Sequence, residues 1–347
     1  MEPVEADLSE ADARSALDAL EPGLSWRAFR RDDLPAIAAF YADCEAHDHN
    51  PERQSLSRLQ EFWDSPRSHP DVDTLVGYDS SDRIVATAWA GCNRAITARR
   101  GVYLGGAVRP DRRGEGIGRA VLRWEMAHGL AWDLATRQGG YGPLVMRLHA
   151  QSDQADVRDL AERHGLETAR YFFELSRPLI DPPLVPELDG VHIVGWDGAR
   201  SREVHRVIDQ AFRDHWGHVD RTDEMFDEAL RSQDFRSDWS VLAIDATTGD
   251  VVGAALNCAY EQDWQATGIT EGYTDELAVA RTHRGRGIAS ALLKESMRRF
   301  AASGLQSAAL GVDAANPSGA LRLYEGLGYE QTASTCVHEY VRPAAPA

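Results

Sequence analysis

The chain has 347 residues, 43% of them hydrophobic, and a formal net charge of −18 at neutral pH. That length is enough for two cores of ordinary domain size, and so acidic a surface excludes nucleic acid, whose phosphates need a basic partner. No continuous run of about 18 apolar residues is present, so no membrane partner is expected either.

Met1 to Pro22 is acidic and Ala-rich, without the basic start of a secretion signal, and reads as a helical or disordered extension. Four cysteines, Cys44, Cys92, Cys258 and Cys336, lack C-x-x-C spacing. Reduced thiols in the cytoplasm follow, rather than disulfides or a zinc site, and no metal is expected.

Trp26 to Phe29 reads as a first strand, and Asp32 to Cys44 as a helix with Leu34, Ile37 and Phe40 at helical spacing. A polar stretch precedes a short helix around Leu59 to Trp63. Strands at Thr74 to Tyr78 and Ile84 to Gly91 flank the turn residues Asp79 to Asp82. A strand from Tyr103 to Val108, a Gly-dense turn and a helix to about Thr136 follow. Strand, helix and strand then close the lobe up to Leu175.

Pro178, Pro182, Pro183 and Pro186 mark a boundary, because proline continues neither a helix nor an interior strand. The expected division is an extension over 1–22, a first domain over 23–177, a stiff linker over 178–189 and a second domain over 190–347. In the second lobe, Val191 to Val194 is a strand, Arg202 to Phe212 and Met225 to Leu230 are helices, and Val241 to Asp245 and Val251 to Cys258 are strands.

The strand that ends at Val279 opens into Arg-Gly-Arg-Gly, and a helix follows from Ile288. Glycine lets backbone approach a ligand closely and point successive N–H groups at it. Arg284 and Arg286 add charge, and the helix start adds uncapped N–H groups, so Gly285 and Gly287 floor a seat for a diphosphate. No Gly-Lys-Ser/Thr follows, which disfavours a P-loop. The same pattern stands 171 residues earlier: Val108, Arg113, Gly114, Gly116 and Ile117 fall on Val279, Arg284, Gly285, Gly287 and Ile288, with Gly118 on Ala289.

After each turn-and-helix comes an apolar strand, another helix and a Gly-apolar step, Gly165-Leu166 and Gly328-Tyr329. Together with Asn316 and Leu323-Tyr-Glu-Gly-Leu-Gly-Tyr329, this resembles the GNAT superfamily of N-acetyltransferases, in two copies across residues 25 to 341. The resemblance implies an α/β (α+β) fold class: two tandem domains, each a mixed, mostly antiparallel sheet flanked by helices. It implies acetyl-CoA as co-substrate, held by Leu277, Ala278, Val279, Arg284, Gly285, Arg286, Gly287, Ile288, Ala289 and Asn316. The corresponding first-lobe seat is Val108, Arg113, Gly114, Gly116, Ile117 and Gly118.

Acetyl transfer to an amine needs a base for the ammonium, donors for the oxyanion and a proton for the thiolate. By strand alternation Glu271, Tyr273 and Asp275 share one face, and Thr274 and Glu276 the other. The family places its base on the face of Tyr273 and Asp275, which favours Asp275, with Glu276 as the alternative. Three carboxylates in six residues would push one pKa upward. Tyr324 stands where the resemblance puts the phenol that protonates the coenzyme sulfur, and packing in the helix–sheet core is its other reading. Asn316 reads as a contact to the pantetheine arm or as a helix cap. Phe212 to His218 falls where the resemblance puts the acceptor-binding helix and loop, and a capped, partly buried helix end is its other reading.

At corresponding places the first lobe carries Leu104, Gly105, Val102 and Ala161, so its proton-handling groups are missing. The leading reading is an acetyl-CoA-dependent N-acetyltransferase, a monomer or homodimer, acting on a small-molecule amine with its chemistry in the C-terminal lobe. A non-catalytic acyl-CoA sensor, and a transferase with another acyl group or a protein acceptor, stay open.

Overall fold

The computed structural model describes residues 9–19, 23–315 and 319–344. Its first elements are α1 (Glu10–Asp18), β1 (Ser25–Arg27), α2 (Leu34–His47), α3 (Leu56–Asp64), α4 (Pro70–Asp73), β2 (Thr74–Tyr78), β3 (Ile84–Cys92), β4 (Arg100–Val108), α5 (Ile117–Thr136), β5 (Leu144–Gln151), α6 (Ala155–Arg163) and β6 (Glu167–Pro178). There follow β7 (Val191–Gly195), α7 (Ser201–Phe212), α8 (Asp223–Arg231), β8 (Val241–Asp245), β9 (Val251–Cys258), α9 (Glu261–Thr267), β10 (Glu271–Val279), α10 (Ile288–Ala302), β11 (Ser307–Asp313), α11 (Ala320–Gly326) and β12 (Glu330–Arg342). The N-terminal extension is helical over α1; residues 1–8 and 20–22 lie outside the described residues.

The chain forms two compact units, one holding residues up to Arg170 together with Thr335 onward, the other Tyr171–Ser334. In the first, β1 to β4 are antiparallel neighbours, β5 runs parallel to β4, and Thr335–Arg342 of β12 pairs antiparallel with β5. Ala86, Ala88 and Ala90 of β3, spaced to share one face, are small enough for α5 to lie close, and they join Leu122 and Met126 in the core. The opposite face packs Ile37 and Phe40 of α2 against Val76 and Ile84. His128 of α5 ties α1 down, bonding Glu10 at 2.7 Å and Asp73 at 3.0 Å. Asp73, Cys92 and His128 also bring three potential metal-ligating atoms within 4.8 Å of one another. The cation beside them is Arg94, which grips both Asp73 oxygens at 2.6 and 2.8 Å.

In the second unit β7 to β10 are antiparallel neighbours, β11 runs parallel to β10, and Phe172–Pro178 of β6 pairs antiparallel with β11. Helix α10 covers one face through Leu293, Met297 and Phe300. Gly272 is small because the Phe300 ring lies 2.4 Å from where its Cβ would stand. Val204 and Ile208 of α7 and Phe226 of α8 pack against Ala254 and Leu256 on the other face.

Each sheet is therefore completed by a strand that sequence order assigns elsewhere. The sequence reading closes the first lobe with the strand that reaches Leu175. In the structure, Leu175 of that strand stands opposite Leu310 in the second unit. Strand partnership is non-local, and nothing within a strand's own residues states which edge it will join.

Candidate active site

The two Gly-dense turns fold alike. Gly285 and Gly287 have φ of 75° and 77°, and Gly114 and Gly116 have 83° and 86°, a left-handed conformation that costs other residues about 1 kcal/mol or more. Gly287 and Gly116 precede α10 and α5, and no side chain caps either helix, so the first N–H groups are left for an anion. Around Gly285 and Gly114 nothing lies within 4 Å of the missing Cβ.

The repeated arginine does more than carry charge. Nε of Arg284 donates to the Val279 carbonyl at 3.3 Å, and Nε of Arg113 donates to Val108 at 3.1 Å. Each guanidinium thus folds back on its own strand and fixes the shape of the turn. Beyond that the units diverge. Arg284 gives a second bond to the Ala211 carbonyl at 3.2 Å, whereas Arg113 closes on both oxygens of Asp48 at 2.6 and 2.8 Å. Arg286 reaches the Asp189 carbonyl at 2.7 Å. Where Arg286 stands, the first unit has Glu115, itself paired with Arg112. In the second turn Arg284 and Arg286 face neutral carbonyls, although Arg281 and His283 beside them pair with Asp214 and Asp245, while in the first Arg113 and Arg112 are both met by carboxylates.

Upstream of the second turn the sheet opens. β10 and β11 pair at Glu271, Gly272 and Tyr273, and among the described residues no further pair joins them, so Leu277, Ala278 and Val279 border a gap. Ala278 is buried, and Leu277 and Val279 are half-buried.

A β-bulge interrupts the alternation expected for this strand. Thr274 stands opposite Asn257 and Glu276 opposite Leu256, leaving Asp275 as the extra residue. Thr274 is held on the α10 side, donating to Asn257 at 2.8 Å, while the Asn257 amide reaches Ser296 at 2.9 Å. Neighbouring residues on β9 face opposite ways, so Glu276 moves to Tyr273's face instead of sharing Thr274's. There it forms a two-pronged ion pair with Arg221 at 2.7 and 3.0 Å.

Asp275 is exposed at the bulge and accepts from the Tyr260 hydroxyl at 3.1 Å. The Tyr260 ring packs edge-on against Tyr273, centroids 5.2 Å apart, and the Tyr273 hydroxyl donates to Glu174 at 2.9 Å. On this strand Glu271 is held above its ordinary value, and burial is the cause, with Ser307 and Ser176 opposing it. Like-charge repulsion among neighbours, the expected cause, is not what raises it. Glu174, Tyr260 and Arg221 escaped the sequence reading because each comes from a segment distant in the chain.

Tyr324 is 8% exposed and sits among Leu293, Met297, Leu310 and Val312, and burial pushes its phenol up to about 12. Asn316 lies outside the described residues. In the Phe212–His218 segment, Trp216 packs near Phe172 with centroids 6.2 Å apart. Burial holds His215 below its ordinary pKa, which favours its neutral form.

The first unit's β4 pairs with β3 in unbroken register from Val102 to Val108, with no bulge. Leu104 and Ala161 are core residues there. A carboxyl from α5 reaches the neighbouring strand: Glu125, pushed up to about 8 by burial, accepts from the Trp89 amide of β3 at 3.3 Å. Sequence comparison of the two strands alone misses it.

Residues 202–329 match the family model described as Acetyltransferase (GNAT) family. The chain is similar to the mycothiol acetyltransferase of Thermobispora bispora, 32% identical over 225 residues that make up 64% of this chain and 70% of that protein. Among solved structures it resembles a GCN5-related N-acetyltransferase from Sphaerobacter thermophilus, with a TM-score of 0.72 and 23% identity over 93% of this chain and 98% of that one. It also resembles a tandem GNAT protein from the clavulanic acid biosynthesis pathway, with a TM-score of 0.64 and 15% identity over 93% and 100% of the two chains. At those identities the two structures speak to fold.

Proposed function

The chain belongs to the GNAT family of acetyltransferases, and from that premise we propose that it carries an acetyl group from acetyl-CoA to a primary amine of a small molecule, in its second unit. The observation that carries this reading is the pairing, in one unit, of an uncapped, positively charged glycine turn with a sheet gap bordered by Asp275 and Tyr273. The open floor at Gly285 and the uncapped start of α10 fit a diphosphate. Leu277 to Val279 and Arg284 to Ala289 are the residues that would hold the coenzyme, whose contribution is an activated acyl thioester.

In this reading the Asp275 carboxylate receives the acceptor ammonium, and Glu276, neutralised by Arg221, shapes the site. Tyr324 keeps its proton at neutral pH as an ordinary phenol does, and burial raises its pKa further, to about 12. A thiol near 8.5 is the stronger acid, so Tyr324 supports a departing thiolate by hydrogen bonding more than by outright proton donation. The mycothiol acetyltransferase relatives make a mycothiol-type amine one acceptor worth including in any test. The first unit, with its turn neutralised, serves as scaffold.

Thiol release from acetyl-CoA in the presence of amines tests this. Wild type is expected to show amine-dependent release. Asp275→Asn should lower kcat/KM for the amine about 100-fold, and Tyr324→Phe should lower kcat about 10-fold. Tight acetyl-CoA binding with no amine-dependent release would favour the acyl-CoA sensor instead.

A further inference from the structure

The second unit contains a carboxylate and a phenol joined across an intervening strand. Glu174 is half-buried on β6, Tyr273 lies on β10, and β11 runs between them. The bond between their side chains passes over Gly311. A Cβ there would stand 2.7 Å from the Tyr273 hydroxyl and 3.2 Å from a Glu174 oxygen, so any other residue at 311 would push the pair apart. Tyr273 is also the last residue of β10 paired with β11, which puts its ring at the mouth of the gap beside the Asp275 bulge. Tyr260 also packs edge-on to its ring, and the charge of Asp275 acts on it.

Building on the amine-acetyltransferase reading, we propose that Glu174 is the final proton acceptor of the reaction and acts through the Tyr273 hydroxyl, with Asp275 as counter-ion to the acceptor ammonium. The hydroxyl donates its hydrogen to Glu174, which turns its lone pairs toward an incoming N–H. An N–H bond of the ammonium breaks as an O–H bond forms at Tyr273. The original phenol O–H breaks as its proton bonds to Glu174. The amine is left with its lone pair, the phenol is again neutral, and the carboxylate has become a carboxylic acid.

Burial, together with the charges of Glu174 and Asp275, holds the phenol well above its ordinary pKa. Like any phenol it carries its proton at neutral pH, and the upward shift makes a bare phenolate still less accessible, so it passes a proton on only as it receives another. The carboxylate comes from the strand that follows the first repeat, so the second repeat's own residues do not complete the set.

The bland alternative is a staple that merely ties β6 to β10. Glu174→Gln separates the two, because glutamine still accepts a hydrogen bond from the phenol and cannot take up a proton. With the full-length protein, thiol release is followed with glucosamine, spermidine and S-methyl-L-cysteine amide as probe amines. Glu174→Gln is expected to lower kcat about 100-fold, with KM for both substrates and the melting temperature unchanged. Asp275→Asn should act mainly on KM for the amine. Gly311→Ala, which leaves both groups present but forces them apart, should lower kcat in the same direction. Wild-type kcat in Glu174→Gln would overturn the relay while leaving the acetyltransferase reading intact. No release above background with any probe in wild type would overturn the amine-acetyltransferase reading, and the relay with it.

Discussion

A chain that begins at residue 190 is expected not to fold. The proline-rich segment invites a cut there, but β6 would be lost with it, and residues 172 to 178 pair with β11 along its whole length. Leu175 and Leu179 are buried in the core of the second unit, with Phe173 packed against it. Burial of such side chains contributes roughly 1.5–3 kcal/mol each, and a domain's net stability is only about 5–15 kcal/mol. Losing three of them consumes a large share of that margin and leaves β11 with an open edge. The fragment would also carry residues 335–342, whose Cys336, Val337 and His338 are fully buried against the first unit's sheet, with nothing to pair to. Thermal melting followed by circular dichroism should show no cooperative transition for residues 190–347. A sharp melt in that fragment would mean that β6 contributes little.

Replacing Gly285 with aspartate should lower kcat/KM for acetyl-CoA about 100-fold while the protein still folds. The position is open, with nothing within 4 Å of a new Cβ, and aspartate is among the residues that tolerate positive φ, at about 1 kcal/mol. The new carboxylate would stand on the floor proposed to seat a diphosphate. Two like charges about 4 Å apart repel by roughly 1 kcal/mol in water and about 4 kcal/mol near a protein surface. A value between these corresponds to about two orders of magnitude in affinity. Steady-state kinetics with acetyl-CoA varied, beside a thermal melt, separates this from unfolding. An unchanged kcat/KM would remove the turn from the coenzyme site.

The contrast between what sequence revealed and what it hid follows the range of the interactions. The turns were legible because their glycines, flanking strand and following helix are local and appear twice. Strands β2, β8 and β9 begin and end where the residue pattern places them, since turn residues flank them closely. Helix α9 went unseen because Glu261–Thr267 buries none of its residues and so has no apolar stripe; Trp264 anchors it to the Glu271 carbonyl at 3.2 Å. The bulge at Asp275 was hidden for a different reason. Alternation assumes even pairing, and the extra residue is defined by register against β9, with the buried bonds from Thr274 to Asn257 and from Asn257 to Ser296 on its inner side. Asp48 on Arg113 and Glu174 on Tyr273 join residues too distant in the chain for spacing to suggest them.

The difference between the two turns is the claim on which the functional reading turns. Calorimetric titration of the full-length chain with acetyl-CoA addresses it directly. One site per chain is expected, unaffected by Gly114→Asp and weakened about 100-fold by Gly285→Asp. Two sites of similar affinity, or loss of binding in Gly114→Asp alone, would contradict a single working coenzyme seat in the second unit.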